Sequence, residues 1–554
     1  RRRAGSLPGR PADRMWSMPL LDLADPAERT LGRVLRRQAA QLPDAPYLLS
    51  GDERFSFGRV NELANSYAAG LQELGVRRGD TVAFLMSSCV EFVFATFGAM
   101  KQGAVWVPTN VAYKGEWLRA SLEDSRARVL VADAELLPRV AELGAGLCYE
   151  HVVVRGEGEV PDLDATVTPL AHFEALDPKE PDDVEIAYGD TAAVLWTSGT
   201  TGRSKGVMQS HNAWLRGALS GAATTGTRDG DVMYCCLPMY NSAAWVANVY
   251  RALVTGLPAG IDAEFSASRF WDRCRHYGAT QIFTLGAMHM FLWQAPESPA
   301  DRDHGVRHAS MIPLPDDLID PVKERFGIET LDQGYGQSEV MGLLHRVDDG
   351  TRWKRNSLGR PLPGIEIALL GDDDRPVMEG EVGEFCVRPN EPHVIFNGYF
   401  NDSEATLAAN RNLWYHTGDL GRRDQDGDYF FVDRKADYIR HKARNVSSFE
   451  VEAAVTAHPA VSACAAHGVA SAELESEAEL KVAVVLKPGE CLAAEELARF
   501  INDNAPYFFV PRYIEFVDEL PRTPTGRVQK FALRERGVTP DTWDAVRENF
   551  TIRR

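Results

Sequence analysis

An apolar run, Ala192 to Trp196, leads directly into Thr197 to Gly206 (TSGTTGRSKG), and an amphipathic segment begins at His211. Strand, tight loop and helix in succession make a local α/β unit whose loop is short and shaped to wrap around something. Three glycines and five hydroxyls in these ten residues let the main chain turn sharply and supply many hydrogen-bond donors. A polyphosphate suits that chemistry. Gly199 and Gly202 free main-chain N–H groups to converge on phosphate oxygens, Thr197, Ser198, Thr200 and Thr201 add side-chain donors, and Lys205 brings a mobile positive charge. The loop is not GxxxxGK[ST], because Gly206 follows Lys205. A plain linker would account for the Ser/Thr/Gly content, but it needs no lysine at a fixed offset from a strand.

Alternating patterns extend through the chain from about Leu31. Thr81 to Met86 and Ala104 to Val107 read as buried strands with a helix, Val90 to Gln102, between them; Val129 to Ala132, Val482 to Leu486 and Ile514 to Val517 read as further strands. Such alternation implies a parallel sheet covered on both faces. The most apolar window, Phe92 to Val107, is interrupted by Lys101, Gln102 and Gly103, too short and too polar for a membrane span. Glu157 to Asp190, rich in Asp, Glu and Pro, reads as a long surface connection. At 554 residues, more than one domain is expected. A net charge of −19 argues against a basic nucleic-acid surface, and eight cysteines without CxxC spacing indicate neither a zinc site nor a disulfide framework, which suits a reducing cytoplasm. Residues 1–30 read as an N-terminal arm, a candidate for disorder, with five arginines in its first fifteen positions and no apolar segment following them.

Two further motifs carry chemistry. In Leu331 to Glu339 (LDQGYGQSE), Gly334 and Gly336 allow backbone to approach a flat ligand, Tyr335 offers a ring on which a purine can stack, and Glu339 is a hard oxygen ligand suited to magnesium. Tyr415 to Leu420 reads YHTGDL. With these in the same order, TSGTTGRSKG resembles the phosphate loop of the acyl-adenylate-forming superfamily: acyl-CoA synthetases, the adenylation domains of peptide synthetases, and luciferases. Ser204 stands where that family has proline, which should loosen the loop. FVDRKADYI and LPDDLIDPVKERFG make the chain look most similar to acyl-CoA ligases of the crotonobetaine/carnitine-CoA ligase type.

The resemblance implies an α/β protein with a large N-terminal domain of layered sheets and helices, 31–435, and a small mobile C-terminal α+β domain, 436–554, joined at a hinge at Ala436. It implies that Lys205 and its neighbouring hydroxyls hold ATP phosphates, that Gly334, Tyr335, Gly336 and Ser338 border the adenine, that Glu339 holds Mg2+, and that Asp419 and Arg434 hold the ribose. Tyr240 and Asn241 would lie at the mouth of an acyl pocket, although core packing explains Tyr240 equally well, and Gly286 with Ala287 would leave that pocket spacious enough for a bulky acid. Arg440, Lys442, Ala443 and Arg444 would border coenzyme A, a solvated charged loop being the equal alternative.

The implied reaction converts a carboxylic acid and ATP to acyl-AMP, from which CoA displaces AMP. One departure bears on it: in LPRTPTGRVQK, Arg527 occupies the position of the lysine that serves adenylation, with Lys530 the nearest substitute. A planar guanidinium does not replace a compact ammonium between two oxyanions, so adenylation is expected to be weak or lost and thioester formation from supplied acyl-AMP retained, with a separate enzyme making the adenylate. The alternatives are a complete AMP-forming ligase, an amide synthetase in which an amine attacks acyl-AMP, and a non-catalytic acyl or nucleotide binder.

Overall fold

The computed structural model describes residues 21–553 apart from 22, 145, 148, 182–183, 198–203, 349–353, 436, 442–443, 471–477 and 524–525; for 348, 440–441 and 444–445 it describes the backbone alone. The protein is mixed α/β and divides into two compact units. One comprises Arg1–Trp196, Gly206–Glu366 and Pro389–Thr406, and the other Thr197–Lys205, Ile367–Arg388 and Leu407–Arg554. The second unit therefore starts well before the hinge position, Ala436, which lies outside the described residues.

In the first unit, one sheet orders its strands Thr166–Pro169, His151–Arg155, Val129–Asp133, Thr81–Leu85, Val105–Pro108, Thr191–Thr197 and Lys205–Ser210. The first six of these pair in parallel. A second sheet has a parallel centre that includes Gln281–Leu285, His308–Ile312 and Thr330–Tyr335, followed by antiparallel Leu344–Asp348. The helix Val90–Lys101 is buried around nearly its whole circumference, which its continuous apolar run dictates. Trp106 packs against Trp245 and Trp214 with ring centroids 4.6 and 5.9 Å away, and all three indoles are fully buried. Side-chain caps start the flanking helices: Thr30 accepts from Arg33 N–H before Leu31–Gln41, and Ser210 accepts from Ala213 N–H before His211–Thr224.

The charge that interrupts the apolar window is itself buried. Lys101 Nζ lies 2.6 Å from Glu180 Oε1 and donates to the amide oxygens of Asn61 and Asn65. Glu180 comes from the stretch read as a surface connection, and that reading needs correction. Residues 157–190 contain the edge strand Thr166–Pro169 and the short helix Leu170–Glu174, whose Leu170 and Phe173 are buried. Phe173 sits where a side chain on Gly70 would be, 2.2 Å from the Cβ position, so one aromatic in an acidic stretch anchors it to the core.

In the second unit, Gly383–Pro389, Trp414–Arg423 and Tyr429–Arg434 pair antiparallel in that order. Ile439–His441 and Arg444–Val446 form a hairpin. Val461–Ala470, Ala478–Leu486, Tyr513–Phe516 and Trp543–Asp544 form a four-stranded sheet, with Ser448–Thr456 and Ala494–Asn504 contributing to its core.

Candidate active site

Thr197 ends the strand before the candidate phosphate loop and Lys205 begins the strand after it. Thr197 Oγ1 donates to the Lys205 carbonyl at 3.3 Å, closing the loop's base. Ser198, Gly199, Thr200, Thr201 and Gly202 lie outside the described residues. Gly206 has a packing reason: a Cβ there would come within 2.8 Å of Val194 and 2.9 Å of the Trp196 ring.

The Tyr335 motif leaves the end of the strand Thr330–Tyr335. Its glycines admit the chain's own backbone: a Cβ on Gly336 would lie 2.5 Å from the Met341 carbonyl oxygen, and one on Gly334 2.9 Å from that of Leu344. Tyr335 and Ser338 are half-buried, and the Ser338 carbonyl accepts from the Gln209 amide. Glu339 is buried; its Oε1 accepts from the Tyr399 hydroxyl at 3.0 Å and its carbonyl from Phe396 N–H at 2.8 Å. Behind this turn Arg216, itself buried, donates to the carbonyls of Val340, Gly342, Pro363 and Val394. Burial lowers its guanidinium to about 10. Tyr399 and Arg216 escaped the sequence reading, because nothing local marks a residue whose partners are loop backbone far along the chain.

Asp419 and Arg434 are brought together as directly opposed residues on antiparallel strands, with Arg434 Nε 3.7 Å from Asp419 Oδ1. Asp419 is buried and Arg434 about one-third exposed, so the pair has one wet side. Gly418 adopts φ +74° with open space beside it, so its identity serves an irregularity within the strand Trp414–Arg423, where the pairing with Gly383–Pro389 shifts register. Around it, Thr417 Oγ1 donates to the Phe385 carbonyl at 2.8 Å and accepts Asp419 N–H at 3.1 Å. Gly418 N–H donates to Glu384 Oε1 at 3.0 Å. Burial would raise the Glu384 carboxyl, but His416, the Gly418 amide and Lys435 outweigh it and hold it below the ordinary glutamate value. Glu384, Cys386 and His416 are spaced as a metal could require. That carboxylate already accepts from Gly418 and Lys435, and burial pushes the Cys386 thiol well up, leaving it a poor ligand.

The residues expected to wall the acyl pocket include some with structural duties. Asn241 caps a short helix, its Oδ1 accepting from Ala243 N–H at 2.9 Å, and Tyr240 is half-buried with burial raising its phenol. Gly286 adopts φ +49° with nothing within 4 Å of its Cβ position, and Ala287 is exposed at the start of the helix Ala287–Gln294. Behind them His289 is buried, Nδ1 3.1 Å from Thr284 Oγ1 and Nε2 2.8 Å from the Pro313 carbonyl.

Among the coenzyme A candidates, Arg440 lies opposite Asn445 and Arg444 opposite His441 in the hairpin; Lys442 and Ala443 lie outside the described residues. Arg527 is exposed, its N–H donating to Thr523 Oγ1 at 3.1 Å and its carbonyl accepting from Thr523 N–H at 2.7 Å. Lys530 is held elsewhere: Nζ donates to Ser448 Oγ at 2.6 Å and pairs with Glu452 Oε1 at 2.8 Å.

The family model for AMP-binding enzymes matches residues 35–400, and that for the AMP-binding enzyme C-terminal domain matches residues 450–527. The chain belongs to the AMP-binding enzyme family. It is 33% identical over 491 residues to a crotonobetaine/carnitine–CoA ligase of Salmonella agona (strain SL483), covering 87% of this chain and 93% of that protein. The anthranilate CoA ligase in complex with anthranoyl-AMP has a similar structure, with a TM-score of 0.79 at 24% identity over 92% of this chain and 97% of that one. The fatty acyl CoA synthetase of Mycobacterium tuberculosis gives a TM-score of 0.71 at 27% identity over 92% and 99%. This AMP-binding enzyme thus has the two-part α/β architecture of the acyl-adenylate-forming superfamily and is acyl-CoA ligase-like. No helix among its described residues is long and apolar enough to cross a membrane.

Proposed function

We propose that this AMP-binding enzyme converts a bulky carboxylic acid to its CoA thioester through acyl-AMP, and that adenylation is the weaker of its two half-reactions. In the first, the carboxylate attacks the α-phosphate of ATP and pyrophosphate leaves; in the second, the CoA thiolate attacks the acyl carbonyl and AMP leaves. Lys205 and the loop hydroxyls hold the phosphates, Tyr335 borders the adenine, and Asp419 with Arg434 holds the ribose. Glu339, a buried hard-oxygen donor, fits a magnesium ion, which neutralises phosphate charge when bound. The basic stretch Arg440, Lys442 and Arg444 receives the phosphates of CoA beside Ala443, after a rotation at Ala436.

The observation that carries the adenylation reading is Arg527 in the lysine position, together with Lys530 engaged by Ser448 and Glu452. A planar fork cannot take the place of one ammonium between two oxyanions, and misplacement by about 1 Å costs on the order of 10²-fold in rate. A companion adenylating enzyme would then supply the acyl-AMP. The buried free thiols, among them Cys89, Cys235 and Cys274, suit a reducing cytoplasm.

The test measures pyrophosphate release from acid and ATP, and acyl-CoA formation from acyl-AMP and CoA, in the unaltered protein and in Arg527→Lys. The reading expects slow pyrophosphate release that rises about 10²-fold or more in the lysine variant, with thioester formation the same in both. Full adenylation by the unaltered protein sinks it.

A further inference from the structure

We infer that Glu384 is a positioning residue for the ribose site, and that Lys435 closes a three-point clamp with it around Gly418. The inference rests on the reading of Asp419 and Arg434 as ribose ligands. Gly418 N–H donates to Glu384 Oε1 at 3.0 Å, the Gly418 carbonyl accepts from Lys435 N–H at 2.8 Å, and Lys435 Nζ donates to Glu384 Oε2 at 3.1 Å. These contacts form a closed ring: Gly418 is gripped at both of its main-chain polar groups, which belong to the peptide units before and after it, and the two grips are joined to each other. Asp419 follows Gly418 in sequence and Arg434 precedes Lys435, so the ring stands immediately beside the opposed pair.

Backbone at φ +74° is adopted without cost only by glycine, and such an irregularity within a strand keeps one orientation only when its surroundings hold it. Glu384 is suited to that task, being buried with its remaining polar surface engaged: Oε2 also lies 3.1 Å from His416 Nδ1. Lys435 is steadied by Asp372 at 2.9 Å. A charged acceptor makes a shorter and stronger bond to a main-chain N–H than a neutral one, which explains a carboxylate at a buried position facing an amide. With the clamp intact, the Asp419 carboxylate is presented at a fixed angle; without it, the strand irregularity at Gly418 loses that restraint and both ribose hydroxyls cannot be met together.

The test is hydroxyl discrimination, which a merely destabilised protein would keep. The affinity of AMP is compared with that of 2′,3′-dideoxy-AMP by titration calorimetry in the unaltered protein, Glu384→Ala, Glu384→Gln, Lys435→Met and Asp419→Ala. The unaltered protein should favour AMP by about ten- to a hundredfold, and Asp419→Ala should abolish the preference. Glu384→Ala should reduce it to within about threefold of unity; Glu384→Gln, which keeps the acceptor for Gly418, and Lys435→Met, which keeps the Glu384 bond, should fall between. A ratio that collapses in Asp419→Ala but survives in Glu384→Ala or, should that variant not fold, in both Glu384→Gln and Lys435→Met overturns the clamp alone. An unchanged ratio in Asp419→Ala overturns the ribose assignment and the clamp with it.

Discussion

The strand bulge at Asp419, proposed for the ribose, and the segment at Gly286, proposed as the acyl wall, each hold a glycine at positive φ, at +74° for Gly418 and +49° for Gly286, yet the residues around them owe their identities to different things. At the bulge, the neighbours converge: Thr417, Glu384, Lys435 and Arg434 all grip or face residues 418–419. At the proposed wall, Gly286 touches nothing on its open side, Ala287 is exposed, and the nearby His289 points its bonds back to Thr284 and Pro313. A binding feature that other residues are spent on holding is tuned to one ligand group, whereas open space bordered by backbone constraint sets only an upper size. On this contrast the protein should be strict about its nucleotide and tolerant about its acid.

The largest effect expected is at the bulge. Asp419→Ala should weaken AMP binding at least about a hundredfold in titration calorimetry, because it removes the buried carboxylate proposed to accept from the ribose hydroxyls. Equal affinity before and after the change would show that the bulge holds no nucleotide and would erase the contrast.

At the wall, the two neighbouring positions should behave oppositely. Gly286→Ala should cost about 1 to 3 kcal/mol in stability, read by denaturant unfolding, because its φ of +49° strains any side chain whatever the space. Ala287→Trp, on an exposed first residue of a helix, should fold normally and lower kcat/KM for bulky acids about tenfold or more relative to small ones. Unchanged acid preference in that variant would remove Ala287 from the wall.

Acid should separate the regions by a smaller margin. Burial lowers the His289 imidazole, so an unfolded chain takes up a proton below pH 6.5 that the folded one resists, and stability falls from there downward. The Glu384 carboxyl is held low, so its contribution persists above pH 4.5 and is lost below it. Between pH 6.5 and 4.5, unfolding free energies of His289→Asn should therefore decline less steeply than those of the unaltered protein, by at most about 1.4 kcal/mol per pH unit. The Glu384→Gln difference should stay level across that interval. Parallel curves for His289→Asn would show that this imidazole is not the group resisting the proton.

Legibility in the sequence followed the range over which each signal acts. The helix Val90–Lys101 and its flanking strands could be read because burial demands continuous apolar runs. Asp419 and Arg434 could be read through a resemblance, but their opposition depends on strand register, which no short motif encodes. Glu384 was invisible, since an acidic residue in Gly383–Pro389 looks like any solvent-facing strand position until the neighbouring strand places Gly418 against it. The stretch 157–190 misled because its composition is that of a loop, while its placement rests on Phe173 and on Glu180 reaching Lys101. Gly334 and Gly336 were read for a ligand's approach, and the close carbonyls of Leu344 and Met341 are a second demand on them that no short motif encodes.

Arg216 has a consequence for redesign. One planar cation gathers carbonyls from residues 340, 342, 363 and 394, so three stretches distant in sequence share a single fastener. A loop transplanted from a relative at any one of them must present its carbonyl to the same N–H or strand a buried charge, which makes these stretches exchangeable as a set and not singly. Recombination between homologues should then tolerate crossovers outside 216–394 and reject those that part Arg216 from its acceptors or the acceptors from one another.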